Sequence, residues 1–388
     1  MDLTLADTIA IPVWAFITYA TGATLGRRLR ISSKMVRQIL LYHTFFCAVY
    51  VWYSLNFPAD VNRYILWAKN GEFGITPGSD MVVALTALMT EVFGMSRTAT
   101  FLPFNLIGCV GLLILYSMLR HFWGNASGFT RYLPAIIVFQ PGLSFWTSAI
   151  GKDGPAFLGA CLAVYAFMDI NRRYWILLLG ISIAFLVRPY FGVMLLLPTV
   201  VTFLVASRTS FVTRISLGLV LVGMLAAIVP YTLAYVGLDR AQNVADVALY
   251  LETRGTYNQI GGGSVDITSL SLPMKLFTYM FRPLFFDARS LFQLVSSAEN
   301  LVYLFLLLYY WKTLLREIFR NRQPLFVFSL GLFLFGWLIF AQTTANLGIS
   351  VRQKTMILPA FLVIVGTCAA RRGRRRVLYT TQQPQPLT

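Results

Sequence analysis

Residues 81–95 read MVVALTALMTEVFGM, and whether this stretch crosses a membrane decides how everything after it is read. The chain alternates about eleven longer apolar stretches with short polar loops, near 9–26, 38–57, 98–119, 133–150, 155–169, 174–188, 190–206, 215–237, 290–311, 325–341 and 355–370. A hydrocarbon core about 30 Å thick needs roughly 20 apolar residues per helix. Residues 81–95 are too few. Counting them as a span would put Arg371, Arg372, Arg374, Arg375 and Arg376 on the outer side. Read as an outer re-entrant or interfacial helix, the stretch leaves every basic loop on one side.

That side is expected to be the inner one. Its loops hold twenty of the 32 Lys and Arg residues against only Asp169 and Glu317 among acids, a balance of +18. The other loops hold twelve basic and thirteen acidic residues, a balance of −1, and together these give the net +17. Such sorting follows the positive-inside rule. It predicts an N-terminus outside and a cytoplasmic C-terminus, with the sparse, mixed charges of the outer loops as the place to look for chemistry.

A 57% hydrophobic chain with 12% charged residues and mean hydropathy +0.68 is not an ordinary soluble domain. The pI near 10.0 suggests nucleic acid, but the excess charge is spread over six inner loops and tails, so no nucleic-acid partner is expected. Basic loops beside a membrane favour anionic lipid instead. Cys47, Cys109, Cys161 and Cys368 lie in or at the end of apolar stretches without CxxC spacing and read as small buried hydrophobes. His43 and His121 are isolated, and no metal site or cofactor is expected. No cleavable signal peptide is expected, because Asp2 and Asp7 precede the first apolar run and the basic cluster follows it. The sequon at Asn125 falls in an inner loop, where it would stay unmodified.

Residues 1–376 read as one helical membrane domain and 377–388 as a disordered cytoplasmic tail. Two outer segments are long enough to build a site, 58–97 and 238–289. The second holds Gly261, Gly262 and Gly263 as a flexible turn and an amphipathic helix near 273–281. Leu186-Val187-Arg188-Pro189 echoes Met280-Phe281-Arg282-Pro283. Proline disfavours helix at the residue before it, so each arginine is expected at a break near the outer boundary.

Arg188, Arg282, Arg289, Arg352 and Lys354 all fall at outer ends of spans. Ionisable groups in a membrane are costly and are functional candidates; the plain alternative is a side chain snorkelling to headgroups. Guanidinium forks suit phosphate oxygens, and several converging from different helices would hold a pyrophosphate. Lys152 and Asp153 precede Pro155, with Asp153 placed to cap the next helix and Lys152 beside its N-terminus, which attracts anions. Pro141, Phe145 and Trp146 would line the same mouth. Asp60, with Arg63 and Tyr64 at helical spacing, is a candidate general base or the partner of a local ion pair. Asp287 and Glu299 compete for the base role; Glu299 lies inside the ninth span, and a partner for it should come from another helix.

Asp60-x-x-Arg63-Tyr64 after the second span resembles the first outer loop of GT-C-type membrane glycosyltransferases. Phe145-Trp146-x-Ser148-x-x-x-Lys152-Asp153 resembles membrane proteins of bacterial exopolysaccharide clusters. So do Phe281-Arg282-Pro283-Leu284 followed by Glu299-Asn300-Leu301, and Asn346-x-Gly348-x-x-x-Arg352-x-Lys354. The resemblance spans roughly 55–365 on short motifs. It implies an all-α, polytopic GT-C-like membrane glycosyltransferase, of the repeat-unit polymerase kind in exopolysaccharide or O-antigen assembly. The substrate it implies is a polyprenyl-pyrophosphate-linked oligosaccharide, and the location a bacterial inner membrane, with other polysaccharide-assembly proteins as partners. The acidic pair usual in that first loop is reduced here to Asp60 alone, which points to metal-independent transfer with arginines stabilising the departing pyrophosphate. Arg188, Arg282, Arg289 and Arg352, with Lys152, Asp153, Lys354, Arg63, Tyr64 and Asn346, would bind substrate; Arg282 would also act on the leaving group, and Asp60 or Glu299 would take the acceptor proton. The other readings are a flippase or transporter of a lipid-linked glycan, which would leave its substrate covalently unchanged, and a glycan ligase.

Overall fold

The computed structural model describes residues 4–72, 74–124, 126, 128–206, 211–239, 241, 243–257 and 263–381, and among them it is all helical apart from one isolated bridge. A hairpin of α1 (Asp7–Arg28) and α2 (Ser33–Asn56) opens the chain, with Ser32 Oγ accepting from the Met35 N–H to start α2. Two short helices follow, α3 (Asp60–Lys69) and α4 (Ser79–Ala87), the latter continued by a π turn at Leu88–Val92. The MVVALTALMTEVFGM stretch is therefore too short to cross a membrane as a helix. α5 (Phe101–Trp123) crosses the core.

The stretch 133–150, expected as one span, is instead two short helices, α6 (Leu133–Val138) and α7 (Pro141–Thr147). The break has a local cause. Pro141 pushes Gln140 out of helical geometry, to φ −69 and ψ 126. Broken backbone at this depth is tolerated because it is buried in protein. α8 (Asp153–Ala166), α9 (Ile170–Val187) and α10 (Pro189–Ala206) follow, α8 and α9 touching at Gly159 and Gly180. Then come α11 (Phe211–Val236), α12 (Val244–Tyr257) and α13 (Leu272–Phe281). α13 is the helix expected near 273–281, whereas α12 was not foreseen. Gly261 and Gly262 lie outside the described residues, as does Asn125.

α14 (Leu291–Arg320) starts at the cap Ser290, and α15 (Pro324–Thr343) and α16 (Leu347–Thr381) complete the bundle. Residues 382–388 of the expected tail lie outside the described residues. Seven of the described helices are long and apolar enough to cross a membrane: α1, α5, α9, α10, α14, α15 and the Leu347–Arg372 part of α16; α8 and Leu221–Val236 are shorter apolar helices. The protein is an all-α polytopic membrane protein. α16 is its central helix, with 89% of its apolar window buried, while α1 is peripheral at 11%. All four cysteines are free and buried.

Contacts at the basic helix ends sort the bundle into two ends. Arg120 donates to the Arg30 carbonyl at 2.9 Å, Arg371 pairs with Glu317 at 3.6 Å, and Arg372 donates to the Tyr309 carbonyl. A Cβ on Gly366 of α16 would meet the Phe122 ring of α5 at 2.8 Å, so the arginine-bearing ends of α1, α5, α14 and α16 share one side. The site described next is built from the opposite ends.

Candidate functional site

Four helix ends deliver one charged cluster. Arg188 lies between α9 and Pro189 in extended geometry (φ −145, ψ 85), so its side chain leaves the helix line and turns into the bundle. Asp153 is the first residue of α8 and Asp60 the first of α3. Arg352 sits one turn into α16. Arg188 Nη2 donates to Asp153 Oδ1 at 2.6 Å, and Arg352 Nε donates to Asp153 Oδ2 at 2.9 Å. Arg352 Nη2 also reaches Asp60 Oδ2 at 3.0 Å, while Arg63 holds Asp60 Oδ1 at 3.1 Å. Tyr190 Oη accepts from Arg188 Nη1 at 2.5 Å. Asp153 does not cap α8 with its side chain; it bridges two arginines instead.

The two carboxylates differ in access, and that difference assigns what each can do. The Asp153 side chain is 7% exposed and Asp60 is 35% exposed. Asp60 lines an open cleft of about 540 Å³ together with Arg63, Arg352, Trp146, Tyr50 and Tyr53. Trp146 stacks under Arg352, its ring centroid 4.9 Å from the guanidinium carbon. Burial pushes the Asp60 carboxyl up, but the charge and hydrogen bond of Arg352 outweigh it and hold the group below its ordinary value. Lys152 donates to Tyr235 Oη at 3.1 Å. Burial, reinforced by the Arg188 charge, pushes its ammonium down to about 8. Arg63, Lys152, Arg188 and Arg352 against Asp60 and Asp153 leave the cluster two positive charges in excess when Lys152 is protonated. Arg188 Nε is buried with no hydrogen-bond partner among the described residues, so one donor of the cluster is left over.

Glu299 and Lys354 lie apart from this cleft. Both are buried, at 8% and 3% exposed. Glu299 Oε1 accepts from the Gly142 N–H at 2.6 Å, and Lys354 Nζ donates to Asn300 Oδ1 at 2.6 Å. They share a small cavity with Tyr303, whose hydroxyl donates to Gln140. A Cβ on Gly142 would sit 2.5 Å from Glu299 Oε2, so any larger residue there would force the carboxylate to shift.

Arg282 pairs with Asp287 through two bonds, at 2.9 and 2.6 Å, and is not brought to the cluster. The bond and the charge of Asp287 raise the Arg282 guanidinium further above its ordinary value, against burial. Arg289 is exposed, and its backbone N–H donates to Gln293. Asn346 Oδ1 accepts from the Gly348 and Ile349 N–H groups at the start of α16, beside the bridge to Ser264. Tyr64 is buried with its ring beside Gly151. Four site residues were not singled out from sequence: Tyr50, Tyr53, Tyr190 and Tyr235. Tyr50 and Tyr53 share one face at the end of α2, a legible signal. Tyr235 is 83 residues from Lys152, and nothing local marks it. Among the described residues no three His, Cys, Asp or Glu side chains group so as to hold a metal ion.

Residues 79–233 match the protein family described as dolichyl-phosphate-mannose-protein mannosyltransferase. The match covers less than half of the chain. It takes in Trp146, Lys152, Asp153 and Arg188 and leaves out Asp60 and Arg352. No curated protein and no solved structure matches the chain. The family match, on an all-α polytopic fold, supports a membrane glycosyltransferase of the GT-C type.

Proposed function

We propose that this protein transfers a glycosyl group from a polyprenyl-phosphate or polyprenyl-pyrophosphate carrier to an acceptor hydroxyl in the cleft beside Asp60. The observation that carries the reading is the convergence of Asp60, Asp153, Arg188 and Arg352 from four helix ends at the edge of that cleft. The acceptor oxygen attacks the anomeric carbon while the carbon–oxygen bond to phosphate breaks. Asp60 takes the acceptor proton, and the lipid phosphate leaves with the bonding pair. Asp60 is favoured over Glu299 because it lines the cleft, whereas Glu299 is sealed against Gly142.

A carboxylate tied to Arg352 is a weak base. An arriving donor phosphate would compete for Arg352 and raise the basicity of Asp60 as it binds. Arg352, Arg188 and Lys152 would then stabilise the charge that develops on the leaving group. Asp153 stays behind as the fixed counter-ion that aims both arginines. Tyr50, Tyr53 and Trp146 offer flat faces to sugar rings. In its finer form the proposal is metal-independent polymerisation of oligosaccharide repeat units for exopolysaccharide or O-antigen, at the outer face of a bacterial inner membrane.

The purified protein in liposomes, given polyprenyl-linked glycans of its host, tests this by mass spectrometry. Growth by whole repeat units supports the polymerase; addition of one sugar supports transfer without polymerisation. Glycans chemically unchanged by folded protein would move the reading to a flippase, or to a ligase lacking its acceptor.

A further inference from the structure

The basic end carries a groove of a different chemical character. There α1 and α2 pack tightly, because a Cβ on Gly26 would lie 2.5 Å from Val36 Cγ2 and one on Gly22 2.7 Å from Leu40 Cδ1. Small residues four apart allow such close approach in lipid. Beside this contact runs a groove of about 360 Å³, lined by Arg27, Arg37 and Ser33 and, on its apolar side, by Ala23, Gly26 and Tyr19.

Both arginines are exposed, and neither guanidinium has a carboxylate, hydroxyl or ring partner among the described residues. The hairpin tip between them is held by Arg120 donating to the Arg30 carbonyl at 2.9 Å and by buried Ile31. α1 is the least buried of the candidate spans, so the groove lies on the lipid-facing side of the bundle. Tyr19 precedes Arg27 by two helical turns, about 12 Å further into the membrane. The groove is thus cationic at its mouth and apolar along its depth.

We infer that this groove holds one anionic phospholipid, with its phosphate between Arg27 and Arg37 and an acyl chain along Ala23 and Tyr19. Guanidinium forks match phosphate oxygens, and a zwitterionic headgroup would bring its own ammonium against two arginines. The apolar half of the groove favours a lipid over free phosphate. The site is at the end of the bundle opposite the cleft, and it stands whether or not the transfer chemistry does.

Native mass spectrometry of the full chain with added phosphatidylglycerol or phosphatidylcholine tests the site. Wild type should retain one phosphatidylglycerol more tightly than phosphatidylcholine. Removing two basic groups near a membrane surface should weaken phosphatidylglycerol about 30-fold in R27Q/R37Q, to the level of phosphatidylcholine. K34Q, outside the groove, should lose about fivefold at most. Equal retention by R27Q/R37Q and wild type would overturn the inference, and so would a loss in K34Q as large as in the double variant. Inorganic phosphate should not displace the lipid; displacement would make this a free-anion site instead. Should R27Q/R37Q fail to fold, A23W fills the groove while keeping both arginines. Loss of the lipid from A23W is expected, and undiminished retention would refute the placement.

Discussion

Asp153→Asn separates the architecture of the charged cluster from its chemistry. The carboxylate is 7% exposed and accepts from Arg188 at 2.6 Å and from Arg352 at 2.9 Å, one arginine on each oxygen. An amide keeps the shape but accepts on one side only, so one guanidinium would face an N–H₂ donor. The variant also leaves two half-buried cations without their shared counter-ion. Breaking a buried ion pair from one side costs about 3–5 kcal/mol, and Tyr190 and Asp60, which remain as partners, place the loss toward the lower figure. Thermal unfolding in detergent, followed by tryptophan fluorescence, should show a clear drop for D153N. Millimolar pyrophosphate should restore more of it in D153N than in wild type, because the anion supplies the missing negative charge. A variant within about 0.5 kcal/mol of wild type, the range of an ordinary surface substitution, would refute the claim that Asp153 organises the site.

The remaining predictions concern single groups. Asp60→Asn removes a partly exposed carboxylate, so stability should fall by no more than about 1 kcal/mol; transfer should fall about 10²–10⁴-fold. Both are measured on the same preparation. Glu299→Gln keeps an oxygen to accept from Gly142 and should retain transfer, whereas abolished transfer in a folded variant would move the base role to Glu299. Gly142→Ala should destabilise by about 1–3 kcal/mol through overpacking against Glu299, read by thermal unfolding. Lys152 is an ammonium below pH about 8 and a neutral amine above it. Donor binding should therefore weaken as pH rises through that value, and K152Q should lack the step.

Span positions were largely legible because each apolar run carries its own signal, and loop charge added an independent check on their order. The interruption at Gln140 was missed although Pro141 was in plain view, because the hydropathy of 133–150 continues across it. α12 was missed because an amphipathic surface helix has no apolar run to betray it. In the cluster, Arg188, Lys152, Asp153 and Asp60 could be picked out from proline breaks and helix starts. What sequence did not supply was the pairing. Arg188-Pro189 and Arg282-Pro283 look alike locally, yet only Arg188 meets Asp153, while Arg282 closes on Asp287 five residues away. Two positions separate Arg352 from Lys354 on α16, which turns the first into the cleft and the second toward Asn300.

The most direct test of the central claim is phosphorus NMR on the reconstituted protein with a polyprenyl-linked glycan and acceptor. Glycosyl transfer predicts a growing signal from free polyprenyl phosphate or pyrophosphate with the wild-type chain, and none with Arg352→Ala. An unchanged phosphorus spectrum, with the glycan lipid moved from one leaflet to the other, would contradict the account and make the protein a carrier of its substrate.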